Sequence, residues 1–377
     1  MKMIAWYSGD LKKRGPCILS ARNKIDYIAE SFLFNGESVS VLSLCDRSYS
    51  AKVLKPEREI VSDGFDVVYP RCVSKEKNKI EYHLRRLFPK LWINRFLNKH
   101  IQKNETVYLY HSSYSLPIVR FLKKKKARII MEVEEVYADV SGNARLKKQE
   151  FKAFSAADAY LFPSELLNEK VNAKGKPSVV IYGTYRSEPG DPKKTDGDTV
   201  HCVYAGTFDS RKGGAEAAVK AAEYLPPKYH IHVIGFGTDK DKNDLLTKIA
   251  EVREKNGANV SFDGTLEGQD YIDFLRSCDI GLSTQDPAGA FNDTSFPSKI
   301  LSYLSTGLRV VTVRIPAIER SKIGPMMRYY DTQDPKAIAE AIEKEDIGVP
   351  FDGRTVIKEL DKQFKKSLKD LTDGFKV

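Results

Sequence analysis

Short apolar runs recur along the chain, and most are separated by stretches whose apolar residues return at helical spacing. In the first half, strands are predicted at 2–8 (KMIAWYS), 38–44 (SVSVLSL), 64–69 (GFDVVY), 106–110 (TVYLY), 127–133 (ARIIMEV), 158–162 (DAYLF) and 178–182 (SVVIY), with a helix at about 24–35. This alternation implies a parallel sheet covered by helices, with ligands expected beyond the carboxyl ends of the strands. The pattern lapses over 182–199, where YGTYRSEPGDPKKTDGDT is rich in Gly, Pro, Asp and Lys and reads as a linker. It then restarts, with strands at 200–206, 229–234, 259–263, 279–284, 308–313 and near 327–330. Helices are expected from about 215 and at 241–255, 268–277, 334–344 and about 354–371. Two doubly wound α/β units therefore share the chain, a first domain over 1–183 and a second over 184–353, with a final helix in 354–377.

Two segments depart from this rhythm. The loop GDLKKRGPCILSARNK is long for a βα connection and carries Gly15 before Pro16, so either a substrate approaches its backbone or it is a flexible loop without function. The segment 79–101, KIEYHLRRLFPKLWINRFLNKHI, interleaves apolar and basic residues around Pro89, which predicts two short helices or one kinked helix. Such a segment suits an anionic membrane surface; equally, it suits a domain helix with one core face and one solvated face.

Length and composition narrow the class. At 377 residues the chain exceeds what one core usually organises, and 41% hydrophobic with 30% charged residues describes a globular protein. The opening MKMIAWYSGD reads as a strand rather than a signal peptide, and no segment has the roughly 18 uninterrupted apolar residues of a spanning helix, so a cytosolic location is expected. Five widely spaced cysteines without a Cys-x-x-Cys pair predict reduced thiols, with neither a disulfide framework nor a zinc site. A net charge of +10 and a pI near 9.1 favour anionic partners without choosing among nucleotides, lipid headgroups and nucleic acid. A nucleic-acid binder lacks support from any recognisable module.

Candidate chemistry collects at strand ends. TVYLY runs into His111, and ARIIMEV runs into Glu134 and Glu135, a carboxylate pair able to take a proton or stabilise developing positive charge. In the second half, Arg211, Lys212, Gly213 and Gly214 place two cations and two glycines before a helix, where backbone approaches phosphate closely. Gly235 and Gly237 follow a strand in the manner of a dinucleotide fingerprint, but Lys240 occupies the third glycine position, and the chain lacks a P-loop. In 291–307, FNDTSFPSKILSYLSTG, a polar loop turns into a helix at Pro297; Ser295, Ser298 and Lys299 and the amides there suit an anion. Asp196 and Asp198 imitate a metal-binding pair but lie in the linker, so no metal ligands are assigned.

RKGG, IGFG, NVSFDGTLEGQDYIDFLRSCDIGLS and TSFPSKILSYLSTGLRVV, in this order, resemble glycosyltransferases of the GT-B fold, family 4, and EVEEVYADV and YGTY are similar to the branch that builds bacterial capsular and other surface polysaccharides. The resemblance covers most of the chain and is strongest over about 200–313. It implies two Rossmann-like domains facing across a cleft, with the final helix crossing back to the first domain. It also implies a nucleotide sugar, by family habit UDP-linked, on the C-terminal domain, and a glycan or lipid-linked acceptor on the N-terminal one. Transfer would proceed with retention and without a metal cofactor. On this reading Lys212 and Lys299 neutralise the donor diphosphate, with Ser295, Phe296, Pro297 and Ser298 around it, and Gly264, Thr265 and Leu266 seat the base. Gly15 lies near donor phosphate or acceptor, and Glu134 and Glu135 stand at the strand end where the family usually bears histidine. Where the family commonly has two glutamates eight positions apart, this chain has Thr294 and Ser302. Hence the alternative of a non-catalytic GT-B partner that binds glycan and supports an active transferase.

Overall fold

The computed structural model describes residues 1–49, 52–188, 197–210, 213–255, 257–289, 292 and 294–375. They form two compact units. The first comprises Met1–Pro163, Leu167–Thr184 and Gln363–Val377, and the second Ser164–Leu166 and Tyr185–Lys362. The helix Gly353–Asp373 is thus shared, grouping with the second unit up to Lys362 and with the first from Gln363. Part of the expected linker, 189–196 with Asp196, lies outside the described residues, as do Arg211 and Lys212.

The first unit is built on eight strands: β1 Lys2–Ala5, β2 Val39–Ser43, β3 Glu57–Ser62, β4 Phe65–Tyr69, β5 Thr106–Tyr110, β6 Arg128–Glu132, β7 Ala159–Phe162 and β8 Ser178–Val180. Their order is β8-β7-β6-β5-β1-β2-β4-β3, parallel except where β3 runs against β4. Strands β2 and β7 are buried at every residue, as expected of a parallel sheet covered on both faces. Strand β3, EREIVS, is absent from the sequence expectation because all six of its residues are exposed and no apolar run marks them. Its charged side chains suit an edge that must not recruit another strand.

Strand β1 stops at Ala5, short of the expected 2–8, and hydroxyls take over the backbone beyond it. Ser43 Oγ donates to the Tyr7 carbonyl at 2.6 Å and Ser8 Oγ to that of Asp10 at 2.6 Å. The following loop is anchored. Arg14 and Gly15 pair antiparallel with Ser48 and Arg47, and the buried Arg14 guanidinium lies 4.4 Å from the centre of the Tyr69 ring while donating to Cys72 Sγ at 2.9 Å. The next helix, Leu19–Phe34, starts earlier than 24, because its first turns, up to Asn23, bury no side chain fully and leave Leu19 exposed, so they show no core-facing spacing.

The segment 79–101 forms two helices, Lys79–Leu87 and Pro89–His100, with Asn78 capping the first and Pro89 opening the second. The second inserts Leu97 into the core, and Ile93 and Phe96 pack against it. Ile80, Leu84, Leu87, Phe88 and Leu91 remain exposed.

In the second unit six strands, β9 Val200–Thr207, β10 Tyr229–Phe236, β11 Asn259–Gly264, β12 Ile280–Ser283, β13 Arg309–Val313 and β14 Arg328–Tyr330, are ordered β11-β10-β9-β12-β13-β14, all parallel. The order reverses between β9 and β12, which makes a crevice at their carboxyl ends. Pairing there spans only Cys202 and Val203 against Ile280 and Gly281. Beyond it, the fully buried Tyr303 hydroxyl accepts from Ala205 N at 2.9 Å and donates to the Leu282 carbonyl at 3.2 Å, bridging the gap. A Cβ on residue 281 would lie 2.2 Å from the Tyr303 ring, so glycine is required for the helix Lys299–Ser305 to reach the sheet.

Candidate functional site

Three glycines line the carboxyl edge of adjacent strands in the second unit. Gly206 pairs with Gly235, and Gly264 pairs with Ile234 after a register shift. Gly235 has φ +141, and a Cβ on it would come within 1.8 Å of the Gly206 carbonyl oxygen. Gly264, at φ +91, has nothing within 4 Å of the corresponding position among the described residues, so its backbone faces open space. Thr265, exposed, donates from Oγ1 to the Gly235 carbonyl at 2.8 Å, and half-buried Leu266 follows. The fold thus brings Gly235, Gly264, Thr265 and Leu266 together.

The two helix ends at this edge differ. The helix Asp239–Arg253 is closed by its own capping box, in which Thr238 accepts from Asp241 N and Asp241 from Thr238 N, with Asp239 also in the first turn. That end is occupied and acidic, and Gly237 beside it packs on Phe208 and Asp241. The helix Gly214–Ala221 begins after Gly213, at φ +61, a residue with no side chain to cap it. Residues around it are held in place: Thr284 Oγ1 donates to the Gly214 carbonyl at 2.6 Å, and Gln333 Nε2 to the Thr284 carbonyl at 2.9 Å.

Lys299 meets the same place from the other side. Its Nζ lies 4.2 Å from the centre of the Tyr204 ring, and a Cβ on Gly206 would be 3.1 Å from it. The Tyr204 hydroxyl would be 2.9 Å from a Cβ on Gly214 and donates to the Thr207 carbonyl at 3.0 Å. One aromatic ring therefore carries an ammonium on its face and the start of an uncapped helix at its rim, a cation–π and amide arrangement suited to an anion.

The remaining residues of 294–302 divide. Pro297 and Ser298 precede the helix, which starts at Lys299 and has only seven residues, so the ammonium outweighs the dipole. Phe296 is buried and Ser295 half-buried, while the Thr294 carbonyl accepts from Ser164 Oγ. Ser302 lies near half-buried Tyr271, whose ionisation burial pushes up and Ser302 pulls back.

In the first unit the strand ends hold a charge cluster. Lys24, almost wholly buried, donates to Glu134 and lies 3.2 Å from Glu132 Oε1. Burial opposes the Lys24 charge, but Glu134 and Glu132 outweigh it and raise the pKa. Glu132 is fully buried, and burial pushes its pKa well above the usual carboxylate range despite Lys24. It was missed because its charge stands inside the apolar run ARIIMEV; a glutamate in an otherwise buried strand was the available signal. Burial raises the Tyr137 pKa, and the charges of Glu135 and then Glu134 raise it further. His111 is buried under Tyr137 and Phe154, ring centres 5.1 and 4.8 Å away, and burial lowers its pKa to about 3, so it is neutral. Gly15 faces the Tyr49 ring, which a Cβ would meet at 2.1 Å.

Two doubly wound α/β units, one with its ligand-suited edge at a topological switch point, define the architecture of GT-B proteins. Residues 199–344, which lie within the second unit, match the family model described as glycosyl transferases group 1. Among solved structures, the chain is similar to sucrose-phosphate synthase from Thermosynechococcus elongatus, with 13% identity, TM-score 0.67 and coverage of 99% of this chain and 98% of that one. HepE from Anabaena, in complex with UDP and glucose, matches with 13% identity, TM-score 0.62 and the same coverages, 99% and 98%. The lipopolysaccharide outer core galactosyltransferase WaaB matches with 14% identity, TM-score 0.62 and 99% of both chains. No curated protein matches the chain by sequence.

Proposed function

We propose that this protein is a retaining, metal-independent glycosyltransferase that moves a sugar from a nucleotide-sugar donor, UDP-linked by preference, to a glycan or lipid-linked acceptor in bacterial surface polysaccharide synthesis. The observation that carries the donor reading is the convergence of Lys299 and the uncapped Gly214 helix on the Tyr204 ring. A diphosphate there gains an ammonium and backbone amides, and charge developing on it as it leaves meets donors already in place. Lys212 adds a second cation, and Gly264, Thr265 and Leu266 seat the base. The UDP and glucose named for HepE and the galactosyl transfer named for WaaB support the donor class. In the first unit Glu134 and Glu135 act on the acceptor side, with neutral His111 packed against Tyr137 nearby.

The test is thermal shift against UDP, GDP and ADP, on the wild type and on Lys299→Ala. A ligand at a hundred times its dissociation constant adds about 2.7 kcal/mol of stability. Removing Lys299 should cost roughly 1.5–3 kcal/mol of that through the lost charge-assisted contact, while the unliganded protein melts nearly as before. If no nucleotide shifts the wild type and a glycan or partner protein does, the non-catalytic reading replaces this one. Ser302 is what favours that second reading, because it puts a neutral hydroxyl at the position where the family commonly carries a ribose-binding glutamate.

The same reading extends to peripheral attachment at the inner face of the membrane, where a lipid-linked acceptor would be met. The exposed Ile80, Leu84, Leu87, Phe88 and Leu91 form an apolar ridge beside Lys79, Arg86 and Lys90. Next to it a groove of about 570 Å³ is lined by Lys90, Arg120, Lys123, Lys124 and Lys152, with no acidic side chain among its lining residues. Apolar insertion flanked by like positive charge fits anionic lipid. Among the described residues, no helix is long and apolar enough to cross a membrane.

A further inference from the structure

We propose that His201, His230 and His232 form a binding site for a borderline divalent transition metal of the Zn2+ class, on one face of the second unit's sheet. One ring nitrogen of each lies within 4.8 Å of the others. No metal ligands were expected from the sequence, because His201 stands some 30 positions before His230 and His232 and only strand register joins them. His201 pairs with His230 across β9 and β10, and His232 follows two positions later on the same face.

Inner strands of a covered parallel sheet are normally almost continuously apolar, and these strands break that rule in the same place. The His230 and His232 rings stack with centres 3.9 Å apart, and His201 Nδ1 lies 2.9 Å from His232 Nε2. Around Zn2+, with Zn–N bonds of about 2.0–2.1 Å, tetrahedral nitrogens stand about 3.4 Å apart. The observed separations bracket that value, so closing the site needs only small side-chain movements.

The surroundings supply the orienting partners a metal site requires. Asp263 Oδ2 accepts from His232 Nδ1 at 3.1 Å and from Ser261 Oγ at 2.7 Å, leaving His232 Nε2 with its lone pair toward His201. A carboxylate bonded to the far nitrogen of a histidine is the arrangement that fixes ring and tautomer in zinc sites. Ser261 Oγ also lies 2.9 Å from His230 Nε2, and the Phe274 ring closes one side of His232 edge-on at 5.4 Å. His201 and His230 are half-buried, which leaves an entry path and room for water as a fourth ligand. Without metal, His201 donates Nδ1–H to His232; with metal, that proton moves to Nε2 and the freed lone pair binds.

His201 stands six residues before Thr207 on β9, about 20 Å from the carboxyl edge. The ion would therefore tie β9 to β10 and stiffen the unit without taking part in transfer.

The test uses the full chain without an affinity tag, stripped with chelator and titrated with Co2+ and Zn2+. One equivalent of Zn2+ retained on dialysis, visible d–d bands of tetrahedral Co2+ and a higher melting temperature with Zn2+ are expected. His201→Gln and His232→Gln should weaken binding at least a hundredfold. Asp263→Asn, which keeps all three ligands, should weaken it about 10–100-fold and serves if a histidine variant fails to fold. A wild type without stoichiometric Zn2+ or Co2+ bands overturns the proposal, leaving a hydrogen-bonded histidine chain. Binding undiminished in both histidine variants overturns it in favour of thiol sites.

Discussion

Glu132→Gln tests the charge cluster at the end of β6. The wild-type carboxyl is fully buried, with the Lys24 ammonium 3.2 Å away and Glu134 paired to the same lysine. Burial raises its pKa well above the usual range; Lys24 pulls it back and Glu134 pushes it up again. A folded pKa above the unfolded one means that the folded state keeps a proton the unfolded chain releases. Stability is then intact below the ordinary carboxylate pKa and falls by about 1.4 kcal/mol for each pH unit above it, until the folded pKa is reached. Glutamine has nearly the same shape, is always neutral and leaves Lys24 with Glu134 as a one-to-one pair. Wild type and variant should therefore coincide near pH 4 and separate as pH rises, the variant becoming the more stable. Urea unfolding from pH 4 to 8 reads this directly by tryptophan fluorescence, because Trp6 and Trp92, the chain's two tryptophans, both lie in the first unit. A gap independent of pH, or a variant that loses ground as pH rises, would show that Glu132 is ionised and held favourably by Lys24.

Two further outcomes are expected. Gly281→Ala drives a Cβ to 2.2 Å from the buried Tyr303 ring, so it should cost about 3 kcal/mol or more in a urea melt and abolish the nucleotide shift; melting within a degree of wild type would refute the role given to Gly281. Leu87→Glu with Leu91→Glu should reduce co-sedimentation with anionic vesicles at least tenfold, and wild-type binding should weaken with salt; equal recovery with neutral vesicles would count against attachment, since each basic residue near the surface contributes about 1 kcal/mol only where lipid is anionic.

What the sequence made legible follows from how each feature is encoded. Buried parallel strands such as TVYLY and DAYLF are continuous apolar runs, and both appear within a residue of their expected bounds. Strand β3 was illegible because an exposed edge needs no apolar residue, and the start of Leu19–Phe34 because its first turn faces water. Lys299 was legible through the proline-bearing polar loop that leads into the helix it opens, although that helix starts two residues later than Pro297. Tyr204 and Tyr303 were not, because each looks like an ordinary core aromatic until register sets one under an ammonium and the other across a gap in the sheet. The Glu132 cluster and the three histidines share that cause. Partners more than a hundred positions apart, as Lys24 and Glu134 are, or on neighbouring strands, meet only once topology is known.

The division of labour within Lys299–Ser305 bears on what the lysine is for. The helix is held by Ile300, Leu301, Tyr303 and Leu304, all buried, and Tyr303 bridges the interrupted pairing between β9 and β12. That packing and bridging come from these apolar side chains and the Tyr303 hydroxyl, while the Lys299 ammonium lies over the Tyr204 ring beside the glycine edge. A cation over an aromatic face contributes roughly 0.5–1 kcal/mol at exposed sites, less than the 1–3 kcal/mol at stake when a buried amide such as Ala205 N loses its partner. The bridge across the sheet therefore depends on Tyr303 and not on Lys299. This is why Lys299→Ala should leave the unliganded melt nearly unchanged, and why a smaller nucleotide shift in that variant would report on the ligand rather than on a damaged sheet.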